Sequence, residues 1–142
     1  MTARRAWPLA VACGMMTLAG CSSPGDPVAP PGGGDDYVLD YASFAANVAP
    51  VLEQYGCHAM ECHGGGIRGT FQLSPEDAID PAYDFDQVVL QVDPWAPDVS
   101  PILQKPLAES EGGATHAWEP FDSPEHAGYV AIRDWILAGE FQ

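Results

Sequence analysis

CHAMECHGGG, residues 57–66, contains two cysteines, a histidine directly after the second cysteine, and three glycines. This segment permits three kinds of chemistry. A disulfide requires only the two thiols, and a zinc site requires further ligands close by. A covalently attached haem requires a pair of cysteines with a histidine immediately after the second. The compartment in which the protein lies decides how the thiols are used.

The first twenty residues have the form of an export signal. Arg4 and Arg5 give a basic start, and the apolar run over 6–20 is too short to span a bilayer comfortably. The run ends in Leu18-Ala19-Gly20-Cys21, which resembles the lipobox of bacterial lipoproteins. The resemblance implies a signal peptide over 1–20, cleavage before Cys21 and a diacylglyceryl group on its sulfur. An ordinary signal with a chance cysteine is the alternative.

The lipoprotein resemblance leaves two thiols in the mature chain. Cys13 is lost with the signal and Cys21 carries the lipid, so Cys57 and Cys62 remain, in an oxidising compartment. Ser22 stands where an aspartate would signal retention in the inner membrane. We therefore expect an extracytoplasmic, lipid-anchored protein, with the outer membrane favoured and with membrane contact through the anchor only.

The mature chain is strongly acidic. All 20 Asp and Glu lie after the signal, against three basic residues, which gives residues 21–142 a net charge of −17. Nucleic acid and anionic lipid surfaces are poor partners for such a chain. The charge favours redox partner proteins with a basic docking face, and solubility alone is the other interpretation.

Composition divides the mature chain into a tether and one domain. Residues 21–36 hold the lipidated cysteine and a Pro-, Gly- and Ser-rich stretch, which predicts a flexible tether. Residues 37–142 form one small domain, in a size range where cofactors or cross-links often support the core.

Helical periodicity dominates this domain. Apolar residues at helical spacing predict an amphipathic helix over 41–55, which Pro50 should kink and Gly56 should end. At the C-terminus, Ser123-Pro124-Glu125 predicts a capped helix start, and Gly139 a stop. This second helix has an apolar stripe of Tyr129, Ile132, Trp135 and Ile136.

Two shorter helices are predicted between these, over Phe85–Val92 and from Ser100-Pro101 onward. No alternating run is long enough to predict a substantial strand. The predicted fold class is all-α, a small helical domain whose long loops enclose something.

Covalent haem accounts for the order of residues in CHAMECH. Two cysteines add across the vinyl groups of the porphyrin, and the adjacent histidine becomes the proximal iron ligand. The usual motif has two residues between the cysteines, whereas four stand between Cys57 and Cys62. The Cys-His adjacency sets the geometry at the iron, so the longer loop can bulge.

The residues around this C-x4-C-H segment resemble the cytochrome c-like domains of bacterial surface and periplasmic lipoproteins. The similar patterns are F-x3-V-x-P-V-L from residue 44, G-x-F-x-L from 69 and Y-x2-I-x2-W-I-x2-G from 129. The resemblance implies one haem c, bound covalently through Cys57 and Cys62 with His63 on the iron. It also implies that the first and last helices cross, with Phe44 and Trp135 as contacts, and that the protein carries single electrons between extracytoplasmic partners.

The sixth iron ligand is a further question. Members of the family often use methionine as this ligand. No methionine follows Met60 in the sequence, and Met60 itself lies between the two cysteines, where it cannot reach the opposite face of the haem. His116, in a Gly-rich segment, is the candidate distal ligand. His126 is interpreted as a solvated residue at a helix start and His58 as an exposed one. An open sixth position, as in a small haem enzyme or gas sensor, is the alternative.

Two haem-free alternatives remain at this stage. In the first, Cys57 and Cys62 form a disulfide in a lipoprotein that acts as a binding or accessory module. In the second, zinc is held by Cys57, Cys62, His63 and His116. No nucleophile–base pair or phosphate-binding loop stands out, which favours an electron carrier over a catalyst.

Under the haem hypothesis, four aromatic residues are expected to bury the porphyrin: Phe44, Tyr55, Phe71 and Trp135.

Overall fold

The computed structural model describes residues 36–66 and 69–142. The predicted signal peptide, the lipidation site Cys21 and the tether up to residue 35 lie outside the described residues, and those assignments stay predictions. No helix in the described part of the chain is long and apolar enough to cross a membrane.

Helix is the predominant regular structure of the described residues, in agreement with the all-α prediction. The helices are α1 (Tyr41–Ser43), α2 (Ala49–Gln54), α3 (Pro81–Val89), α4 (Pro101–Gln104) and α5 (Ala127–Leu137). A two-stranded antiparallel sheet, β1 (Tyr37–Val38) with β2 (Glu140–Phe141), ties the two ends of the domain together. Short 3₁₀ turns at Pro97–Val99 and Glu109–Glu111 interrupt the long loops.

The helix predicted over 41–55 forms as consecutive segments. Between α1 and α2 lies a π-helical turn, Phe44–Val48, in which Ala49 N–H donates to the Phe44 carbonyl five residues back. Pro50 follows at once and has no N–H to donate. The disruption predicted at Pro50 therefore takes the form of a π-helical turn, a widening that often inserts one extra residue into a helix.

The predicted start of the C-terminal helix was wrong. Ser123 begins only a turn, closed by His126 N–H to the Ser123 carbonyl at 3.1 Å. Helix α5 begins at Ala127, because the Nδ1 of His126 caps it by accepting from Gly128 N–H at 3.1 Å. The helix ends before Gly139 as predicted, but for another reason. A Cβ at Gly139 would lie 2.6 Å from the Tyr37 ring, so glycine makes room for that ring.

The two middle helices were predicted with unequal success. Helix α3 begins four residues earlier than predicted, since the Asp80 carboxylate caps it and Pro81 occupies its first position. Helix α4 begins at Pro101 as predicted. The Ser100 hydroxyl does not cap α4 and instead accepts from Asp93 N–H at 2.9 Å.

The first and last helices pack against each other through aromatic rings. Phe44 and Trp135 lie with ring centroids 5.3 Å apart, as the sequence predicted, and Phe85 of α3 lies 5.4 Å from Phe44. Phe44 is fully buried and Trp135 nearly so. The buried core extends from this contact and includes Val48, Leu52, Val88, Leu103, Ile132 and Ile136. It fixes the end of α2, from which the cysteine segment continues.

Candidate functional site

The segment from Cys57 to His63, called the attachment loop below, folds into consecutive turns directly after α2. Cys57 N–H donates to the Leu52 carbonyl at 3.0 Å, and Cys62 N–H donates to the Ala59 carbonyl at 2.9 Å. His63 N–H donates back to the Cys57 carbonyl at 3.1 Å. These hydrogen bonds fold the four residues between the cysteines into turns, and both cysteines line the same cavity.

Two glycines after His63 let the chain pack closely against the attachment loop. A Cβ at Gly64 would lie 1.9 Å from the His58 carbonyl oxygen, and one at Gly65 would lie 2.2 Å from the Met60 carbonyl oxygen. Contacts that short do not occur between a side chain and a backbone atom. Gly64 and Gly65 are therefore required for the backbone of the loop itself.

The cavity beside the attachment loop has a volume of about 350 Å³. Cys57, Cys62, His63 and His116 all line it, so the four residues singled out from the sequence come together. Its remaining wall is mostly apolar and includes Val51, Leu52, Phe71, Ile102, Phe121 and Ile132. Small-molecule and cofactor sites are commonly of this size, apolar with a few convergent polar groups.

His63 is held in one orientation and one protonation state. Its Nδ1 lies 3.1 Å from the Phe71 carbonyl oxygen, which can only accept, so Nδ1 carries the hydrogen. Burial lowers the pKa of His63, and the nearby His116 and His58 lower it further, although the Phe71 hydrogen bond acts in the opposite direction. The imidazole is therefore neutral at pH 7, with the lone pair of Nε2 free.

His116 shows the same arrangement on a different loop. Its Nδ1 lies 2.7 Å from the Trp118 carbonyl oxygen, which again places a hydrogen on Nδ1. The rings of His63 and His116 are nearly parallel, with planes 7° apart and centroids 6.0 Å apart.

Cys57 and Cys62 are free thiols in the structure. Burial raises the pKa of Cys57 to about 11, and the neighbouring Cys62 contributes in the same direction against a backbone hydrogen bond that lowers it. The Cys57 thiol is therefore protonated at neutral pH, and it becomes a nucleophile only when it loses its proton.

His58 was predicted to be exposed, and that prediction was wrong. The side chain is 2% exposed, and its Nδ1 lies 2.8 Å from the Ser74 carbonyl oxygen. Its Nε2 lies 3.8 Å from a carboxylate oxygen of Asp84, which is itself 1% exposed and accepts from the N–H and hydroxyl of Ser74. His58 thus fixes this part of the attachment loop to Ser74 and to Asp84 of α3.

His126 was predicted to be solvated, and it is instead partly buried. Its Nε2 lies 3.2 Å from the Tyr55 hydroxyl, its Nδ1 caps α5, and its ring stacks on Phe121 at 4.9 Å. Both ring nitrogens already have hydrogen-bond partners, and the side chain does not line the cavity. Of the two candidates for a distal ligand, the geometry therefore favours His116.

Across residues 36–66 and 69–142, no group of three or more His, Cys, Asp or Glu side chains is placed to hold a metal ion by itself. The four-residue zinc cluster considered from the sequence thus has no support in the described structure. A haem iron needs fewer protein ligands than a zinc ion, because the porphyrin supplies four nitrogens and the chain supplies only the axial ligands.

Sequence reasoning placed some aromatic residues wrongly around the cavity and missed others. Phe71 lines it as predicted, but Phe44 and Trp135 belong to the helix crossing and do not. Trp118 was missed; it lines the cavity, is 57% exposed and donates from Nε1 to the Tyr55 carbonyl at 3.3 Å. Its proximity to His116 in sequence is the signal that could have indicated it.

A scan of protein-family models and searches of curated proteins and of solved structures return no match for this chain.

Proposed function

We propose that this protein is a c-type cytochrome with one covalently attached haem, which transfers single electrons between extracytoplasmic partners. The observation that carries the proposal is the convergence of Cys57, Cys62, His63 and His116 on one mostly apolar cavity. Two thiols and an adjacent imidazole are the groups that thioether attachment and proximal ligation require.

The hydrogen bonding of the two histidines supports the proposal. Histidines that bind a metal almost always donate their other ring N–H to a carbonyl, a carboxylate or water, which fixes the tautomer and the ring orientation. His63 does so to Phe71 and His116 does so to Trp118. Both rings are therefore prepared to offer Nε2 to iron.

The two rings also lie close enough together to serve one cofactor. The centroids of His63 and His116 are 6.0 Å apart and the rings are nearly parallel. Two nitrogen ligands would give a lower reduction potential than the His/Met pair of many cytochromes c.

In this proposal the haem supplies an iron that takes up and releases one electron, and the chain sets its surroundings. The Phe71 carbonyl orients His63 and increases the basicity of its Nε2. The apolar wall formed by Val51, Ile102 and Ile132 keeps water from the centre of the cavity. The turns of the attachment loop bring both cysteines to the cavity, where their sulfurs would meet the vinyl groups.

The partners and location in this proposal follow from charge and from the predicted signal. A net charge of −17 on residues 21–142 would steer a redox protein with a basic face towards the domain. The lipid on Cys21 would hold the protein at the outer membrane, and the tether would let the domain reach those partners.

A second candidate, a haem-free binding or accessory module, is favoured by one observation. Cys57 and Cys62 are both free thiols and line the same cavity. Oxidation in the extracytoplasmic space would then close a disulfide beside an apolar cavity that could take a small apolar ligand.

The visible spectrum under denaturing conditions separates the two candidates. The full chain is exported in a bacterial host that carries the haem-attachment machinery, purified, and unfolded in alkaline pyridine. A thioether-bound haem stays with the polypeptide and gives a haemochrome spectrum, which Cys57→Ser/Cys62→Ser should lose. A colourless wild-type protein from a host that loads another cytochrome c would overturn the proposal.

A further inference from the structure

The cavity has one cationic side chain among the described residues. Lys105, at the C-terminal cap of α4, lines the cavity together with the attachment loop. Arg133, the other described Lys or Arg, pairs with Asp134 at 3.0 Å and does not line the cavity. Among residues 36–66 and 69–142, Lys105 is therefore the one Lys or Arg that lines this cavity, in a chain whose mature part has 20 acidic residues.

Most of the hydrogen-bonding capacity of Lys105 is free. Its Nζ donates to the Thr115 carbonyl at 3.0 Å, and that is its one hydrogen bond in the described structure. An ammonium group has three N–H donors and no acceptor. The side chain is exposed, so the remaining donors are available to a ligand at the cavity mouth.

The charges that line the cavity favour one orientation for an anionic ligand. Glu61, from the attachment loop, also lines it and would repel a carboxylate, whereas Lys105 comes from α4 and would attract one. A ligand with an apolar edge and an acidic edge would place its acidic edge towards Lys105. A porphyrin is such a ligand, because its two propionates lie on the edge opposite its two vinyl groups.

We propose that Lys105 binds a carboxylate of the cavity's ligand, which for haem is a propionate. This inference rests on the function proposed above. The vinyl edge of the porphyrin would face Cys57 and Cys62, and the propionate edge would face away from the attachment loop. The same ammonium also donates a hydrogen bond to the carbonyl of Thr115, the residue before His116. One side chain would therefore contact both the ligand and the loop that carries His116.

The test uses a porphyrin that cannot form thioethers. The reduced mature chain, made without the attachment machinery, is titrated with ferric mesoporphyrin IX, whose vinyl groups are replaced by ethyl groups, and separately with its dimethyl ester. The Soret band gives the two dissociation constants. We expect wild type to prefer the free acid about fivefold, the range of a partly exposed ion pair. Lys105→Gln, which keeps a donor for Thr115, should lose this preference.

Two variants control for indirect effects. Lys105→Arg should keep the preference, because it keeps the charge, and Arg133→Gln should keep it, because its side chain does not line the cavity. If Lys105→Gln weakens both porphyrins equally or leaves the preference intact, the carboxylate assignment is overturned while the haem proposal stands. If neither porphyrin binds wild type, the proposed function fails and this inference fails with it.

Discussion

The imidazoles of His63 and His116 lie with their planes 7° apart and their centroids 6.0 Å apart, although His63 ends the attachment loop and His116 lies on the loop before α5. Each donates Nδ1–H to a backbone carbonyl. Both rings thus line one cavity, and in the proposed cytochrome this pair of residues would set the axial ligation and therefore the spectrum.

Replacing the distal histidine should change the iron ligation without releasing the haem. We expect His116→Ala to convert a six-coordinate, low-spin spectrum into a five-coordinate or water-ligated one and to permit carbon monoxide binding in the ferrous state. The haem should remain covalent, because Cys57 and Cys62 are untouched. His126→Ala is the matched control and should keep the ligation of wild type. An unaltered spectrum in His116→Ala would remove His116 from the assignment.

The buried His58 should contribute to stability and not to ligation. His58→Ala removes the hydrogen bond to the Ser74 carbonyl and leaves a buried acceptor unsatisfied, which costs about 2 kcal/mol. Urea unfolding of the haem-free mature chain measures this free energy. Met60→Ala, in the same loop but 71% exposed, should cost less than about 0.5 kcal/mol. Equal effects of the two substitutions would contradict the burial of His58.

The alkylation rate of Cys57 should keep increasing with pH above the pH at which the rate of an ordinary thiol levels off. Because its pKa is raised to about 11, chiefly by burial, only a small fraction is thiolate at pH 8. Alkylation of the reduced mature chain by iodoacetamide, followed at Cys57 by peptide mass spectrometry, should accelerate about tenfold per pH unit up to pH 10. Circular dichroism at each pH checks that the chain stays folded. A plateau near pH 9 would show an unperturbed thiol.

Substitution at Gly64 should damage the attachment loop more than substitution at Gly56. In Gly64→Ala the new Cβ meets the His58 backbone at 1.9 Å, so the loop must move, at a cost of about 3 kcal/mol or more. Gly56 has nothing within 4 Å of an added Cβ but has φ of +67°, so Gly56→Ala should cost about 1 kcal/mol. Unfolding free energies and haem content per chain measure both effects. Equal losses would contradict the close approach at Gly64.

Features that depend on local rules were predictable from the sequence. The apolar periodicity around Phe44 and Trp135 located the two long helical regions. The contact between these two residues was implied only by the resemblance to cytochrome c-like domains, and the structure shows it. The proline at position 101 located the start of α4. The convergence of His63 and His116 followed from a resemblance that no comparison tests, and the structure places both on one cavity.

Features that depend on tertiary contacts were not predictable. The start of α5 is set by His126, whose ring is fixed by Tyr55 and Phe121 from other parts of the chain. The burial of His58 depends on Asp84, and nothing in the sequence distinguishes Asp84 from the many other acidic residues of this chain. The burial and hydrogen bonding of such residues depend on how the loops pack against each other. Sequence periodicity and helix-capping patterns do not predict that packing.

The intact mass of the exported, mature protein tests the central claim most directly. We expect a mass equal to the sum of the polypeptide from Cys21 onward, its acyl groups and one haem. The haem should stay attached under denaturing conditions. A mass of the polypeptide and acyl groups alone, lighter by the hydrogens of the Cys57 and Cys62 thiols, would show a disulfide in place of the haem and would contradict the proposed electron carrier.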